Sequence, residues 1–162
     1  MPKQNAWHQK SNICSFWKKK FRYLHGYFVE LKIKGLNYLK FDSTDDTPEV
    51  MIDSDLSIFI ISGCSTPENA LTTYSPIIEW IKAPDCALNN CQCKFFFKYL
   101  SSASHHLVFE IMTQLDKLYK SGRNLSIEWS YEIIDEDMLR LGLDFASILS
   151  IPFEFCPKAE NQ

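Results

Sequence analysis

No run of apolar residues approaches the roughly 20 that a membrane helix needs, which predicts a soluble protein with no membrane span. Five Gly and seven Pro are too few for a collagen-like or linker-like chain, and a hydrophobic content of 46% excludes wholesale disorder. Neither a Walker A loop nor G-x-G-x-x-G occurs, so no Gly-rich cradle for a nucleotide phosphate is present. Met1 to Lys20 lacks the continuous apolar stretch of a signal peptide, so the six cysteines are expected to stay reduced in the cytoplasm. Cys91-Gln-Cys93, with Cys86 nearby, has no second pair at zinc spacing. Alternation on a strand would send Cys91 and Cys93 to one buried face, so neither a metal nor a cofactor is expected.

Charge is unevenly placed. Residues 1–40 hold nine Lys/Arg against the single acid Glu30, a net +8, while the rest hold eight Lys/Arg against nineteen Asp/Glu, a net −11. Residues 1–35 read as a basic, aromatic extension in which Trp7, Phe16, Trp17, Phe21, Tyr23 and Phe28 alternate with Lys18-Lys19-Lys20, Arg22, Lys32 and Lys34. Such interleaving suits single-stranded nucleic acid or anionic lipid, but a loosely ordered extension is the simpler reading. The acidic body, residues 36–157, argues against nucleic acid as its partner. Residues 158–162 read as a tail.

The body alternates strands with helices. Leu36–Phe41 and Val50–Ile52 read as short strands, and Leu56–Ile61, apolar on both faces, as a strand buried on two sides. Ala70, Leu71, Tyr74, Ile77, Ile78 and Ile81 share one helical stripe. Ser65 or Thr66 is the expected N-cap, with Pro67 at the first helical position or Glu68 closing a capping box. A Phe-rich strand, Cys93–Leu100, with Phe95, Phe97 and Tyr99 on one face, leads to a second helix over Ala103–Lys120 that stops at Gly122. Leu125, Ile127, Trp129 and Tyr131 alternate with polar residues as a half-buried strand. Asp135-Glu136-Asp137 open a third helix, where their charge complements the dipole better than it suggests a Mg²⁺ site. Gly142 is a weak point in it. Ile151–Phe155 closes the body. This order predicts a single α/β domain, a mixed sheet with about three packed helices.

Tyr99-Leu100-Ser101-Ser102-Ala103-Ser104-His105-His106 is the segment richest in chemistry. Three hydroxyls and two imidazoles fall where a strand hands over to a helix N-terminus, whose free N–H groups receive anions. A Ser there is most simply an N-cap. It is also placed to accept a phosphate, or to act as a nucleophile with His105 or His106 as base. Against the last reading, no G-x-S-x-G elbow and no orienting carboxylate accompany it.

Several stretches resemble the SiaC family of bacterial regulatory phosphoproteins. They are Asp46–Val50, Ile61–Ala70, Tyr74–Ile81, Tyr99–Ser102, Val108–Leu118, Ile127–Tyr131 and Asp135–Met138, in the family's order, within Leu36 to Phe155. The resemblance implies a STAS-like architecture, similar to anti-sigma-factor antagonists, and a switch protein that is not an enzyme. It implies a Ser/Thr kinase that phosphorylates one residue after the strand and a PP2C-type phosphatase that reverses it. The unphosphorylated form is then expected to bind and activate a diguanylate cyclase, in cyclic di-GMP control of biofilm and aggregation. The family's acceptor pattern, Tyr-x-Asn-Thr-Ser-Ser, maps its Thr to Ser102, with Ser101 and Ala103 as departures and Ser101 the alternative acceptor. Ser101, Ser104, His105 and the turn Pro67-Glu68-Asn69 are the implied partner contacts. The alternative from another class is a small hydrolase using Ser102 with His105 or His106.

Overall fold

A computed structural model describes residues 38–159. The basic arm, residues 1–35, therefore lies outside the described residues. Six strands form one sheet in chain order: β1 (Tyr38–Phe41), β2 (Glu49–Asp53), β3 (Ile58–Ser65), β4 (Cys91–Leu100), β5 (Leu125–Glu132) and β6 (Phe153–Lys158). β1, β2 and β3 pair antiparallel, and β3 to β6 pair parallel. The three parallel crossovers carry α1 (Ala70–Lys82), α2 (Ser102–Lys120) and α3 (Glu136–Ile148). The mixed sheet with three helices is the predicted class.

Strands added always to the same side, each by a right-handed crossover, put every helix on one face of the sheet. Burial bears this out. Leu39, Val50, Ile52, Phe59, Ile61, Cys93, Phe95, Phe97, Ile127 and Trp129 face the helices and are sealed. Their neighbours Met51, Ile58, Ile60 and Phe96 point to the other face and are only half-buried. The expectation that β3 is buried on both sides is thus corrected, and its start moves to Ile58, because Leu56 sits in the preceding turn, 67% exposed.

Other local expectations shift for identifiable reasons. α1 begins at Ala70 on an Asn69 cap, whose side chain accepts from the Thr72 N–H at 3.2 Å. Ser65 is instead the last residue of β3, so Pro67 and Glu68 belong to the loop and Glu68 closes no capping box. Leu71 leaves the stripe and is exposed, whereas Trp80 is buried. Tyr99 is exposed rather than aligned with Phe97. A register shift pairs Gly63 with Phe97 but Cys64 with Tyr99, so Lys98 is an extra residue that turns Tyr99 to the other face.

The end of α2 and the start of α3 behave as read, while α2 begins one residue early, at Ser102. After α2, Gly122 takes φ +97°, its N–H donates to the Tyr119 carbonyl and that of Arg123 to Leu118, a Schellman stop. α3 is capped by Asp135, whose carboxylate accepts from the Met138 N–H at 2.9 Å, with Glu136 and Asp137 in the first turn. Gly142 is no weak point in this setting. A Cβ there would lie 2.4 Å from the Trp129 ring, so glycine is what lets α3 lie on that indole. Trp129 Nε1 donates to the Met138 carbonyl at 2.9 Å and satisfies its only polar atom. β6 runs to Lys158, one residue past the expected end of the body.

Candidate functional site

The loops that follow β1, β3 and β4 meet at one end of the sheet. Thr66 N–H donates to the Asp46 carbonyl at 2.8 Å and its hydroxyl to the Asp46 carboxylate at 3.3 Å. Ser101 N–H donates to the Ser65 carbonyl at 2.9 Å. The start of α2 is therefore tied to the end of β3 before any side chain of the corner is considered.

Ser101 caps α2. Its Oγ accepts from the Ser104 N–H at 3.3 Å, and its carbonyl takes the first helical bond from His105. The free N–H groups of Ser102 and Ala103 then point out of the helix end, because a first turn has no intrahelical acceptor for them. Ser102 is the first residue of α2 and is exposed, as is Ala103. Its hydroxyl reaches solvent at the positive end of a 19-residue helix that has no acid in its first turn.

Beneath Ser102 lies a chain of buried hydroxyls. Ser101 Oγ donates to Ser104 Oγ at 3.0 Å, Ser65 Oγ to Ser104 Oγ at 2.9 Å, and Ser65 Oγ is 2.6 Å from the Tyr74 hydroxyl. Ser65, Ser104 and Tyr74 are fully sealed. Burial pushes the Tyr74 phenol up to about 12, although the hydrogen bonds to Ser65 and Ser104 pull the other way. This network joins β3, α1 and α2, and a buried network is stable only while every member is paired.

The residues singled out in the sequence thus separate into distinct roles. Ser102 offers a free surface hydroxyl. Ser101 is half-buried with its oxygen engaged as a cap. Ser104 is sealed within the network and offers no surface to a partner, contrary to the expectation that it contacts one. Asn69 is exposed at the α1 cap, Glu68 is exposed and Pro67 half-buried in the loop before it. His105 and His106 stack with centroids 5.9 Å apart, and His105 also packs 5.2 Å from the Phe145 ring. Burial and the neighbouring His106 hold the His105 imidazole below its usual value, with Asp144 opposing them. No hydrogen bond joins Ser102 to either imidazole among the described residues, so the geometry of a Ser/His pair is not assembled. Sequence reading missed the Ser65–Ser104–Tyr74 network. A tyrosine within an apolar stripe was the available signal, since its hydroxyl needs a partner when buried.

The sequence matches the description "SiaC family regulatory phosphoprotein" over residues 41–158. The chain belongs to the SiaC family. An uncharacterized protein of Pseudomonas aeruginosa is 25% identical over 117 residues, covering 71% of this chain and 92% of that relative. The crystal structure of apo-SiaC from the same organism superposes with a TM-score of 0.66 at 22% identity, covering 75% of this chain and 99% of that one. SiaC in the crystal structure of the diguanylate cyclase SiaD with its activator SiaC gives a TM-score of 0.66 at 23% identity, covering 74% and 99%. These structures share the SiaC fold with this chain. The SiaC match begins at Phe41 and leaves the basic arm outside it. No helix among the described residues is long and apolar enough to cross a membrane.

Proposed function

We propose that this SiaC-family protein is a cytoplasmic switch without catalysis of its own, set by reversible phosphorylation of Ser102. A Ser/Thr kinase adds the phosphate and a PP2C-type phosphatase removes it. The unphosphorylated form binds a diguanylate cyclase and promotes cyclic di-GMP synthesis. The observation that carries the reading is the exposed Ser102 hydroxyl at the N-terminus of α2, whose first turn holds no acid. The solved complex of SiaD with its activator SiaC supports a cyclase as the partner class.

The physics of the switch is short. Phosphate adds about −1.5 to −2 charge and strong acceptor oxygens. In the free protein the Ser102 and Ala103 N–H groups and the helix dipole accommodate it, so the fold survives. In a complex the same charge must be desolvated at the interface, at a cost of several kcal/mol. Ser101 is the weaker acceptor, because modifying its oxygen removes the cap and disturbs Ser104. Titration of the cyclase with phosphorylated and unphosphorylated protein by calorimetry tests the reading. The expected result is at least a hundredfold weaker binding after phosphorylation, about 2.8 kcal/mol. Equal affinities would refute it.

A further inference from the structure

α1 lies along α2, but α2 and α3 touch sparingly and leave a cleft between them. Its lining includes Phe109, Leu141, Phe145 and Ile148 together with His105 and Asp144. Phe109 and Phe145 stack at 5.2 Å, while Ile148 is 67% exposed. The volume is about 170 Å³. Small-molecule sites run about 300–1,000 Å³, so this cleft suits one large side chain of a protein segment instead. Ser102 shares a helical row with His105, His106 and Phe109, at spacings of three, four and seven residues, so it stands at the head of the cleft.

The surroundings are acidic. α3 carries Glu136, Asp137 and Asp144 against the single cation Arg140, and no ion pair joins them among the described residues. A phosphate on Ser102 would deepen that charge at the cleft head. The chain itself contains the complementary element in Phe16-Trp17-Lys18-Lys19-Lys20-Phe21, where large aromatics flank three successive cations, within the +8 of residues 1–40. Reach is no obstacle. The 17 residues from Phe21 to Tyr38 span up to about 56 Å when extended. Crossing six strands at about 4.8 Å spacing takes about 24 Å, and running along β4 from the level of Tyr38 to the Ser102 end takes about 26 Å more, which together stay within that span.

We propose that the segment Phe16–Phe21 folds back onto the α2/α3 cleft, one aromatic entering between Phe109 and Ile148 and the lysines meeting phosphorylated Ser102 and the α3 carboxylates. This rests on the Ser102 reading for its control and adds to it: the phosphate both burdens the effector interface and recruits an internal competitor for that surface. An arm outside the family match would give this protein a second, self-inhibiting layer.

The test uses the full chain with the photo-crosslinking residue p-benzoylphenylalanine in place of Ile148, read by mass spectrometry. The expected crosslinks run from position 148 to peptides within Phe16–Phe21, within one molecule when light and heavy isotopic forms are mixed. Their yield rises severalfold with Ser102→Asp or with enzymatic phosphorylation, and the rise disappears at high salt or when Lys18, Lys19 and Lys20 are changed to Ser. The same probe at Leu56, also 67% exposed, gives no such crosslink. Crosslinks to no residue of the arm, crosslinks only between molecules, or a yield indifferent to charge at Ser102 each overturn the proposal. None of these outcomes touches the calorimetric comparison, which judges the switch by itself.

Discussion

Two helices of this domain begin in opposite electrostatic states. α3 starts on the Asp135 carboxylate and carries Glu136 and Asp137 in its first turn, so its positive end is permanently neutralised. α2 starts on the neutral Ser101, has no acid in its first turn, and presents an exposed hydroxyl at its first position. A negative group at a helix N-terminus is worth about 0.3–1 kcal/mol. α3 has that stabilisation built into its sequence, whereas α2 lacks it and, in the function proposed above, takes it from a phosphate on Ser102. Their undersides differ too. α3 is fixed to Trp129 through Gly142 and the Met138 carbonyl, while α2 rests on hydroxyls that reach across to β3 and α1. One corner carries its negative charge in its own side chains, and the other carries none.

The sharpest way to break that contrast is at its rigid side. Gly142→Ala should destabilise the protein by about 2–3 kcal/mol in urea denaturation, because the Trp129 ring cannot move away from a new methyl without repacking. Ser104→Val comes next, at about 1–2 kcal/mol, since it leaves the Ser65 and Ser101 hydroxyls short of a partner. Asp135→Ala should cost about 1 kcal/mol through the lost cap, and Asp135→Ser much less. Ser102→Asp should instead raise the stability of the free protein by about 0.5 kcal/mol, even as it weakens the complex. A loss from Ser102→Asp as large as that from Asp135→Ala would remove the distinction between the corners.

The smallest effect is one of pH. The His105 imidazole is held below its usual 6.5 in the folded protein, chiefly by burial and then by His106. The unfolded chain therefore takes up that proton first. Its contribution is complete above pH 6.5 and is lost as pH falls below it, through the window down to the folded value. His105→Gln should flatten that part of a stability–pH curve measured by thermal melts.

The order of elements and several helix ends were legible because they rest on local chemistry: the Leu125–Tyr131 alternation, Gly122 after α2, and the acids Asp135-Glu136-Asp137 that open α3. Tertiary context decided the rest. Ser65 has the right chemistry for a cap, yet pairing with β4 carries it into the sheet, and the cap passes to Asn69. Tyr99 keeps the spacing of a core residue but loses its place to the shift at Lys98. Asp116 gave no signal at all. It accepts from the Ser150 and Ile151 N–H groups and pairs with Lys120 at 2.6 Å, pinning the loop that leads into β6 to α2 across 34 residues of chain. At the candidate site the sequence pointed to the right segment but could not divide its three serines. Burial and hydrogen bonding divide them into a cap, a surface hydroxyl and a core hydroxyl.

The most direct measurement is site-resolved mass spectrometry of the full chain after incubation with the Ser/Thr kinase proposed above and ATP. The account predicts a single phosphate on Ser102, with Ser101 and Ser104 unmodified, and its loss in Ser102→Ala. Phosphate found only outside Ser101–Ser104, or undiminished in Ser102→Ala, contradicts it.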